Sequence, residues 1–393
     1  MLATDIGAHA VRPGRARRIG IVVATELAAA GYLLAMLVTD DWRLVLALLG
    51  AAGAGFVLMR RLPEIEARIA ESLGAERPLA FGLGAILALA FPLVLGPNTY
   101  LLHLLILCQI YAALALALNF QLGSANIPNF ATGATYGIGA YTSALLALNF
   151  GLSFWVVLPI SALVATVFGF VLGIPSMRTR DSYLALVTIA FSVVVHQLLN
   201  NFAFTGGPNG LVGIPAPTLF GHSFARPIEL FGFSLPAQAN FYYLGLALLA
   251  VCLEGARRLH HSRVGLTWNA LRSDEIAARA QGIDVTWYKV LAFAVDAFMA
   301  AFAGTIYAFY VSYIAPDNFT FLVSVTIMTM VIVGGMDNIF GVVVGACILT
   351  ILPEKFRIFA DYRLLFFGVA VIVMLQLRPQ GLFPRRLRRY EHG

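Results

Sequence analysis

Long apolar segments separated by short polar ones run through most of the chain. A helix needs roughly 20 apolar residues to cross a bilayer, and twelve segments approach that length. The predicted spans are residues 19–38, 42–59, 79–95, 99–118, 134–150, 153–174, 183–200, 239–255, 287–313, 321–336, 338–353 and 362–377. Several are short enough to be half-helices. The pattern therefore predicts an all-α, polytopic transmembrane helical bundle of about 10–12 spans.

One polar stretch lies at membrane depth instead of between spans. Residues 119–133, NFQLGSANIPNFATG, contain three Asn, one Pro and two Gly. Irregular backbone at this depth is tolerated only when it is buried in protein or lines a wet cavity. The stretch predicts a broken or re-entrant segment. The amides of Gln121, Asn126 and Asn129 then either face a polar solute or only satisfy the break itself.

Asp296 is an acid inside an otherwise apolar span, residues 290–311. A carboxylate at the bilayer centre is costly, so it needs a partner or water. It lies either on a translocation path or in a hydrogen-bonded bundle interior. The candidate translocation path is accordingly Gln121, Asn126, Asn129 and Asp296.

The segment from Trp268 to Trp287, WNALRSDEIAARAQGIDVTW, is too polar to lie in lipid. Ser273 is expected to cap a short helix, with Asp274 and Glu275 at its positive N-terminal end. Gly282 is expected to end that helix, since glycine reaches positive φ at little cost. We interpret the helix as a contact for a soluble partner.

Composition and charge agree with a membrane protein. Of 393 residues, 60% are hydrophobic and 12% charged, about half the charged fraction of a soluble domain. Most of the 26 Lys and Arg fall in alternate loops, which places both termini in the cytoplasm. No basic face with interleaved aromatic residues suggests nucleic acid. The three cysteines lie in apolar runs and are expected to be buried thiols, not metal ligands.

Glycine pairs at a spacing of four predict close helix packing more than solute contact. They are Gly133–Gly137, Gly169–Gly173 and Gly341–Gly345.

Enzyme motifs are missing: there is no HExxH, no GxSxG and no catalytic pair of acids. No P-loop is present, so ATP would have to be hydrolysed on another chain.

Eight short blocks resemble the permeases of ABC importers, specifically the branched-chain amino acid and urea family of LivM type. They are DEIAARAQG at 274–282, GIGAY at 137–141, RTRDSYLA at 178–185, TGGPNG at 205–210, NFTF at 318–321, GGM at 334–336, LPE at 352–354 and RPQGL at 378–382. The resemblance runs over residues 99–384.

This resemblance implies an inner-membrane subunit that works with a second permease (LivH type), two ATPase subunits and a periplasmic solute-binding protein. ATP and Mg would be bound by the ATPases, and no cofactor by this chain. ATPase closure would pull on the helix at 272–282 and rock the spans between inward- and outward-open states. The expected ATPase-coupling residues are Arg272, Ser273, Asp274, Glu275, Ala277, Ala278, Arg279 and Gly282. The expected binding-protein docking loop is Thr205, Gly206, Gly207, Pro208, Asn209 and Gly210.

The implied organisation has three parts. Residues 1–98 form accessory N-terminal spans, with an amphipathic helix at 62–74 on the lipid surface. Residues 99–384 form the permease core with a cytoplasmic coupling loop at 256–286. Residues 385–393 form a basic cytoplasmic tail.

Departures from the family pattern bear on the solute. Residues 129–136, NFATGATY, replace a usual Ser-Leu-Gly-His-Ala-Ala-Phe-Phe run, and acids stand at Asp181, Asp296 and Asp337. Besides branched-chain amino acids, urea, short amides, other amino acids and small carboxylates remain open. An ion-driven secondary transporter, with Asp296 as the proton or sodium site, is the alternative function.

Overall fold

Helices make up most of the described chain. The computed structural model describes residues 15–39, 41–62, 68–69, 71–72, 75–176, 181–219, 221–230, 233–355, 365, 368–369, 371–372, 376 and 381–383. The chain divides into two compact units, Met1–Gly96 and Pro97–Gly393.

The N-terminal unit contains three long helices, α1 (Arg15–Val38), α2 (Trp42–Arg61) and α3 (Arg77–Leu95). The Tyr32 hydroxyl of α1 donates to the Leu48 carbonyl of α2 over 3.2 Å. Arg18 pairs with Glu76, just before α3, at 3.4 Å. Most of the amphipathic helix predicted at 62–74 lies outside the described residues.

The described part of the larger unit contains further helices. They are α4 (Thr99–Leu118), a π-helix (Asn119–Ser124), α5 (Thr132–Phe150), α6 (Phe154–Ser176), α7 (Asp181–Asn201), α8 (Ala237–His261), α9 (Arg263–Ser273), α10 (Glu275–Ala280), α11 (Val285–Val311), α12 (Phe321–Gly334) and α13 (Ile339–Lys355). Single 3₁₀ turns occur at Ala203–Thr205, Gly207–Asn209 and Pro316–Phe319.

In the described part of this unit, six short strands form three two-stranded antiparallel ribbons. They are β1 (Leu211–Val212), β2 (Thr218–Leu219), β3 (His222–Ser223), β4 (Ile228–Leu230), β5 (Phe233–Leu235) and β6 (Tyr313–Ile314). Two ribbons, β2–β3 and β4–β5, are local hairpins in the 201–238 loop. The third pairs Leu211 with Ile314 and so ties this loop to the segment after α11.

Glycines let α6 pack closely on α11, and α5 on α12, as the glycine spacing predicted for the Gly169 and Gly133 pairs. A Cβ at Gly169 would lie 2.7 Å from the Ala297 Cβ, and one at Gly173 would lie 2.9 Å from the Val290 Cα. On α5, a Cβ at Gly133 would lie 2.8 Å from the Ser324 hydroxyl. Without Cβ atoms the backbones approach closely, which is how helices associate in lipid. The predicted packing role is confirmed.

The same explanation holds for the third pair. A Cβ at Gly345 would lie 2.6 Å from the Gly334 Cα, so α13 packs against the end of α12 at that point. Of the cysteines, Cys108 and Cys252 are buried free thiols as predicted, whereas Cys347 is only partly buried.

Eight helical stretches in the described chain are long and apolar enough to cross a membrane. They are Arg15–Val38, Pro78–Leu95, Thr99–Ser124, Phe154–Pro175, Tyr183–Asn201, Ala237–His261, Val285–Val311 and Pro316–Gly334. Helices α2, α5 and α13 occupy three further predicted spans, and most of the span predicted at 362–377 lies outside the described residues. The all-α polytopic class is confirmed. The cytoplasmic placement of both termini stays a prediction.

Candidate functional site

The break predicted at 119–133 is present. Helix α4 runs directly into the π-helix Asn119–Ser124, and residues 125–131 then have no helical structure before α5 begins at Thr132. The wider turn is visible in its hydrogen bond from the Ala125 N–H to the Phe120 carbonyl, 3.0 Å. Such single π turns occur often at functional sites. All six residues of the π-helix are buried, so protein encloses the irregular backbone.

Three of the four predicted path residues meet at this break. The Asn129 amide nitrogen donates to the Gln121 side-chain oxygen at 2.7 Å and to Asp296 Oδ2 at 2.9 Å. Thr132 adds a hydroxyl that donates to both Asp296 oxygens, at 3.1 and 3.3 Å. Gln121 and Asn129 are 0% exposed and Asp296 is 1% exposed. We call Gln121, Asn129, Thr132 and Asp296 the path cluster.

Two features of the path cluster leave binding capacity unused. The Ala131 N–H donates to Asn129 Oδ1 over 2.8 Å, which fixes the orientation of that amide. Asn129 therefore presents its nitrogen to the Gln121 oxygen, and the Gln121 nitrogen is buried without a partner among the described residues. Within the described residues Asp296 receives only uncharged donors and forms no ion pair. An orphaned donor and an uncompensated acid are both costly in a protein interior.

The other two amides of the break lie elsewhere. Asn126 is exposed, with φ +58°, outside the path cluster. Asn119 instead accepts the backbone N–H of Asp337 at 2.9 Å. Asp337 Oδ1 accepts the Ser124 hydroxyl at 2.6 Å and lies 3.6 Å from His260 Nδ1. This second buried group, which we call the turn clamp (Asn119, Ser124, Asp337), holds the π-helix against the α12–α13 turn.

The polar segment after α8 folds into two helices instead of one. Helix α9 ends at Ser273, α10 begins at Glu275, and Asp274 between them has an extended backbone. The prediction that Ser273 caps α10 is wrong. Its hydroxyl donates back to the Asn269 carbonyl of α9, whereas the Asp274 carboxylate accepts from the N–H groups of Ile276 and Ala277, at 2.9 and 3.0 Å.

Gly282 ends α10 as predicted. Its φ is +83°, its N–H donates to the Arg279 carbonyl, and the Ile283 N–H donates to the Ala278 carbonyl. These two bonds form a Schellman motif, which satisfies the last carbonyls of the helix. Ile276 projects outward with 83% exposure, while Ala278 is buried. Helix α10 thus has one anchored face and one free face.

Two charged side chains help to connect the α9–α10 segment to the elements that carry the path cluster. The Lys289 ammonium of α11 binds the Glu275 carboxylate at 2.8 Å. The Arg272 guanidinium of α9 donates to the Gly123 carbonyl of the π-helix. Arg272 therefore points into the protein, away from the free face of α10.

The TGGPNG loop is a closed turn. Gly206, Gly207 and Gly210 all have positive φ. A Cβ at Gly210 would lie 2.0 Å from the Ile314 carbonyl oxygen, so only glycine allows β1 to pair with β6 there. Thr205 is buried, and its hydroxyl donates to the carbonyls of Leu199 and Phe202. Of the predicted docking residues, Pro208 and Asn209 are exposed.

Sequence reasoning did not select Thr132, Lys289 or Asp337 as site residues. Thr132 lies in the segment that departs from the family pattern, which is a signal for it. Asp337 was visible only as an acid in an apolar turn. Nothing local to Lys289 predicts its contact with Glu275, because the pairing depends on how α10 folds back onto α11.

Comparison with known proteins identifies a family of transport proteins. The family model described as branched-chain amino acid transport system, permease component, matches residues 100–375. The high-affinity branched-chain amino acid transport permease LivM of Escherichia coli K12 is 38% identical over 314 residues, covering 76% of this chain and 73% of that protein. A probable LivM permease of Methanocaldococcus jannaschii is 24% identical and covers 70% of this chain and 91% of its own length.

The chain is also similar to a second kind of permease. The LivH permease of Escherichia coli K12 is 25% identical over 293 residues, covering 70% of this chain and 91% of that protein. No solved structure matches. These relatives and the apolar helices make the molecule a multi-pass transport protein of the bacterial inner membrane. It belongs to the family of permease components of branched-chain amino acid transport systems, and it is of the LivM type.

Proposed function

We propose that this chain is the membrane-spanning permease subunit of an ATP-driven importer for an amino acid of the branched-chain type. The observation that carries the proposal is helix α10. It is capped at both ends, exposes Ile276 and Arg279 on one face, and is anchored to α11 through Glu275. A short helix with one exposed face and one anchored face suits the docking of a soluble ATPase.

The partners follow from the same proposal. Two ATPase chains bind ATP and Mg, and a second permease of LivH type completes the membrane part. A periplasmic binding protein delivers the solute. The name of the Escherichia coli relative and the similarity to LivH permeases support this assembly. The exposed Pro208 and Asn209 of the closed TGGPNG turn offer a rigid contact for the binding protein. With α10 in the cytoplasm, both termini lie there as well.

The path cluster supports an amino acid as solute. Asp296, with no cationic partner among the described residues, is an acceptor for an ammonium group, and the unpaired Gln121 nitrogen is a donor for a carboxylate. The Gln121 and Asp296 oxygens share one donor, the Asn129 nitrogen, so the two side chains are adjacent. A zwitterion carries both complementary groups on one small molecule. A small carboxylate without an amine would be repelled by Asp296.

The proposal is tested with the complete assembly in liposomes. Branched-chain amino acids are expected to be taken up in an ATP-dependent manner and to raise ATP hydrolysis when the binding protein is present. Glu275→Ala combined with Gly282→Leu removes the anchor and the end of α10, so ATPase docking should be lost. Gly255→Leu, in α8 where an added Cβ meets nothing within 4 Å, is the matched control. Intact transport and docking in the double variant would contradict the coupling role.

One observation favours a second candidate function. The uncompensated Asp296 also suits a proton or sodium site in a carrier driven by an ion gradient. Vesicles that contain this chain alone, without ATPases, distinguish the two. Uptake that follows an imposed proton or sodium gradient would replace the ATP-driven proposal, whereas uptake that needs the ATPases and ATP supports it.

A further inference from the structure

The coupling segment is joined to the path cluster by two routes. The first passes through α10, where Glu275 binds Lys289 at 2.8 Å. Lys289 and Asp296 are seven residues apart on α11, so they share one helix face about 10 Å apart along the axis. The second passes through α9, which packs against the π-helix as well as the start of α11.

Helix α9 packs against the π-helix. Trp268 is 0% exposed, and its ring centroid lies 5.9 Å from that of Phe120. Its indole N–H donates to the Tyr288 carbonyl at 2.9 Å, which fixes the ring at the start of α11. One turn later, Arg272 donates to the carbonyl of Gly123. This carbonyl belongs to the π-helix that also carries Gln121.

The corner between α9 and α10 is stiff. The Asp274 N–H donates to the Ala270 carbonyl at 3.1 Å, which closes α9, while its carboxylate caps α10. One residue therefore joins the two helices with both of its polar groups fixed. A displacement of α10 is then transmitted to Arg272 instead of being absorbed in a flexible joint.

The turn clamp holds the other side of the same six residues. Ser124 donates to Asp337 at 2.6 Å, and Asn119 accepts the Asp337 N–H at 2.9 Å. A Cβ at Gly123 would lie 2.5 Å from that nitrogen, so the two backbones are in close contact. The π-helix thus lies between Arg272 on one side and the α12–α13 turn on the other.

Resting on the proposed function, we infer that Arg272 is a positioning residue through which the coupling segment moves the π-helix, and with it Gln121, relative to Asp296. Glu275 and Lys289 move the side of the path cluster that carries Asp296. Arg272 moves the side that carries Gln121. The turn clamp is the fixed point for that movement. An ATPase bound at α10 then changes the distance between Gln121 and Asp296.

The test measures the number of solute molecules transported per ATP hydrolysed by the complete complex. Arg272→Gln removes the cationic donor and is expected to lower this ratio about fivefold or more, within the usual range of coupling between sites. Arg272→Lys keeps a donor and should recover part of the loss. Arg263→Gln, the same charge change at an exposed position of the same helix, should stay close to wild type. An Arg272→Gln ratio equal to that of Arg263→Gln would overturn the inference.

A second pair of variants acts without touching the coupling segment. Ser124→Ala removes the hydroxyl that binds Asp337, and Ser124→Thr keeps it. The ratio should fall with alanine and recover with threonine. Equal ratios in both variants and wild type would refute the clamp, even if Arg272→Gln does not assemble. Failure of the proposed function is recognised separately, because the wild-type complex would then show no ATP-dependent uptake.

Hydrogen exchange adds a structural measurement on the same complexes. Faster exchange confined to residues 119–127 is expected in Arg272→Gln and Ser124→Ala, with α6 unchanged. Exchange that rises equally throughout the core would mean general destabilisation. It would contradict the inference that Arg272 and Ser124 specifically fix the π-helix.

Discussion

Two buried aspartates flank the π-helix, and they are held in opposite ways. Asp296 lies in the middle of α11, where Asn129 and Thr132 supply only uncharged donors. Asp337 lies on a turn at φ +67°, where its side chain and backbone both bind the π-helix and His260 is nearby. The Asp296 carboxylate can accept a further partner, whereas the Asp337 carboxylate is already bound to the π-helix. A buried acid is therefore informative about function only together with its partners.

The largest expected effect separates the two acids by their charge. Asp296→Asn keeps the shape and removes the charge that would bind an ammonium group, so uptake by the reconstituted complex should fall at least tenfold, or about 1.4 kcal/mol. Asp317→Asn, the same change at an exposed acid, is the control. Uptake by Asp296→Asn within twofold of the control would make Asp296 a structural residue.

A glycine substitution tests the opposite side of the π-helix. In Gly123→Val the added side chain meets the Asp337 nitrogen and the Asn119 side chain. The α12–α13 turn must then move, which should lower the free energy of unfolding by about 1–3 kcal/mol. Thermal melting of the purified complex measures this change. Gly255→Val, where a Cβ has open space, serves for comparison, and equal melting temperatures would show that the contact is loose.

The third prediction uses the backbone of Asp337. Asparagine tolerates positive φ and still offers an oxygen to Ser124, so Asp337→Asn should change stability by less than about 1 kcal/mol. Asp337→Ala loses that acceptor and strains the turn, for a cost of about 2 kcal/mol. Denaturation of the two variants side by side gives the difference. If asparagine is as harmful as alanine, the charge beside His260 matters more than the geometry.

Part of this arrangement was predictable from the sequence. The break at 119–133 could be located because amides, proline and glycine interrupt an apolar run. The end of α10 at Gly282 and the tight packing at Gly169 could be found because they depend on a single residue type. Local chemistry decides these features, so a local pattern reveals them.

The remaining features depend on contacts that no local pattern contains. Ser273 and Asp274 are both good capping residues, and only the extended backbone at Asp274 decides which one caps α10. Asp337 meets Ser124 across 213 positions of sequence, and its turn reveals nothing of that partner. The amides of the break are alike in sequence, yet Asn129 joins Asp296 and Asn119 joins Asp337.

The smallest expected effect probes how firmly Asp296 is held. Thr132 donates to both carboxylate oxygens at 3.1 and 3.3 Å, distances longer than those of a strong charge-assisted bond. Thr132→Ser keeps the hydroxyl and should leave uptake and stability nearly unchanged. Thr132→Val keeps the shape and removes the donor, with a loss of about 1 kcal/mol in stability. Because Asn129 still binds Asp296, uptake in Thr132→Val should fall only a few-fold, well short of the Asp296→Asn effect. A loss of uptake as complete as that of Asp296→Asn would mean that the carboxylate must be fixed by its neighbours to work. Asp296 would then resemble Asp337 more closely than its partners suggest.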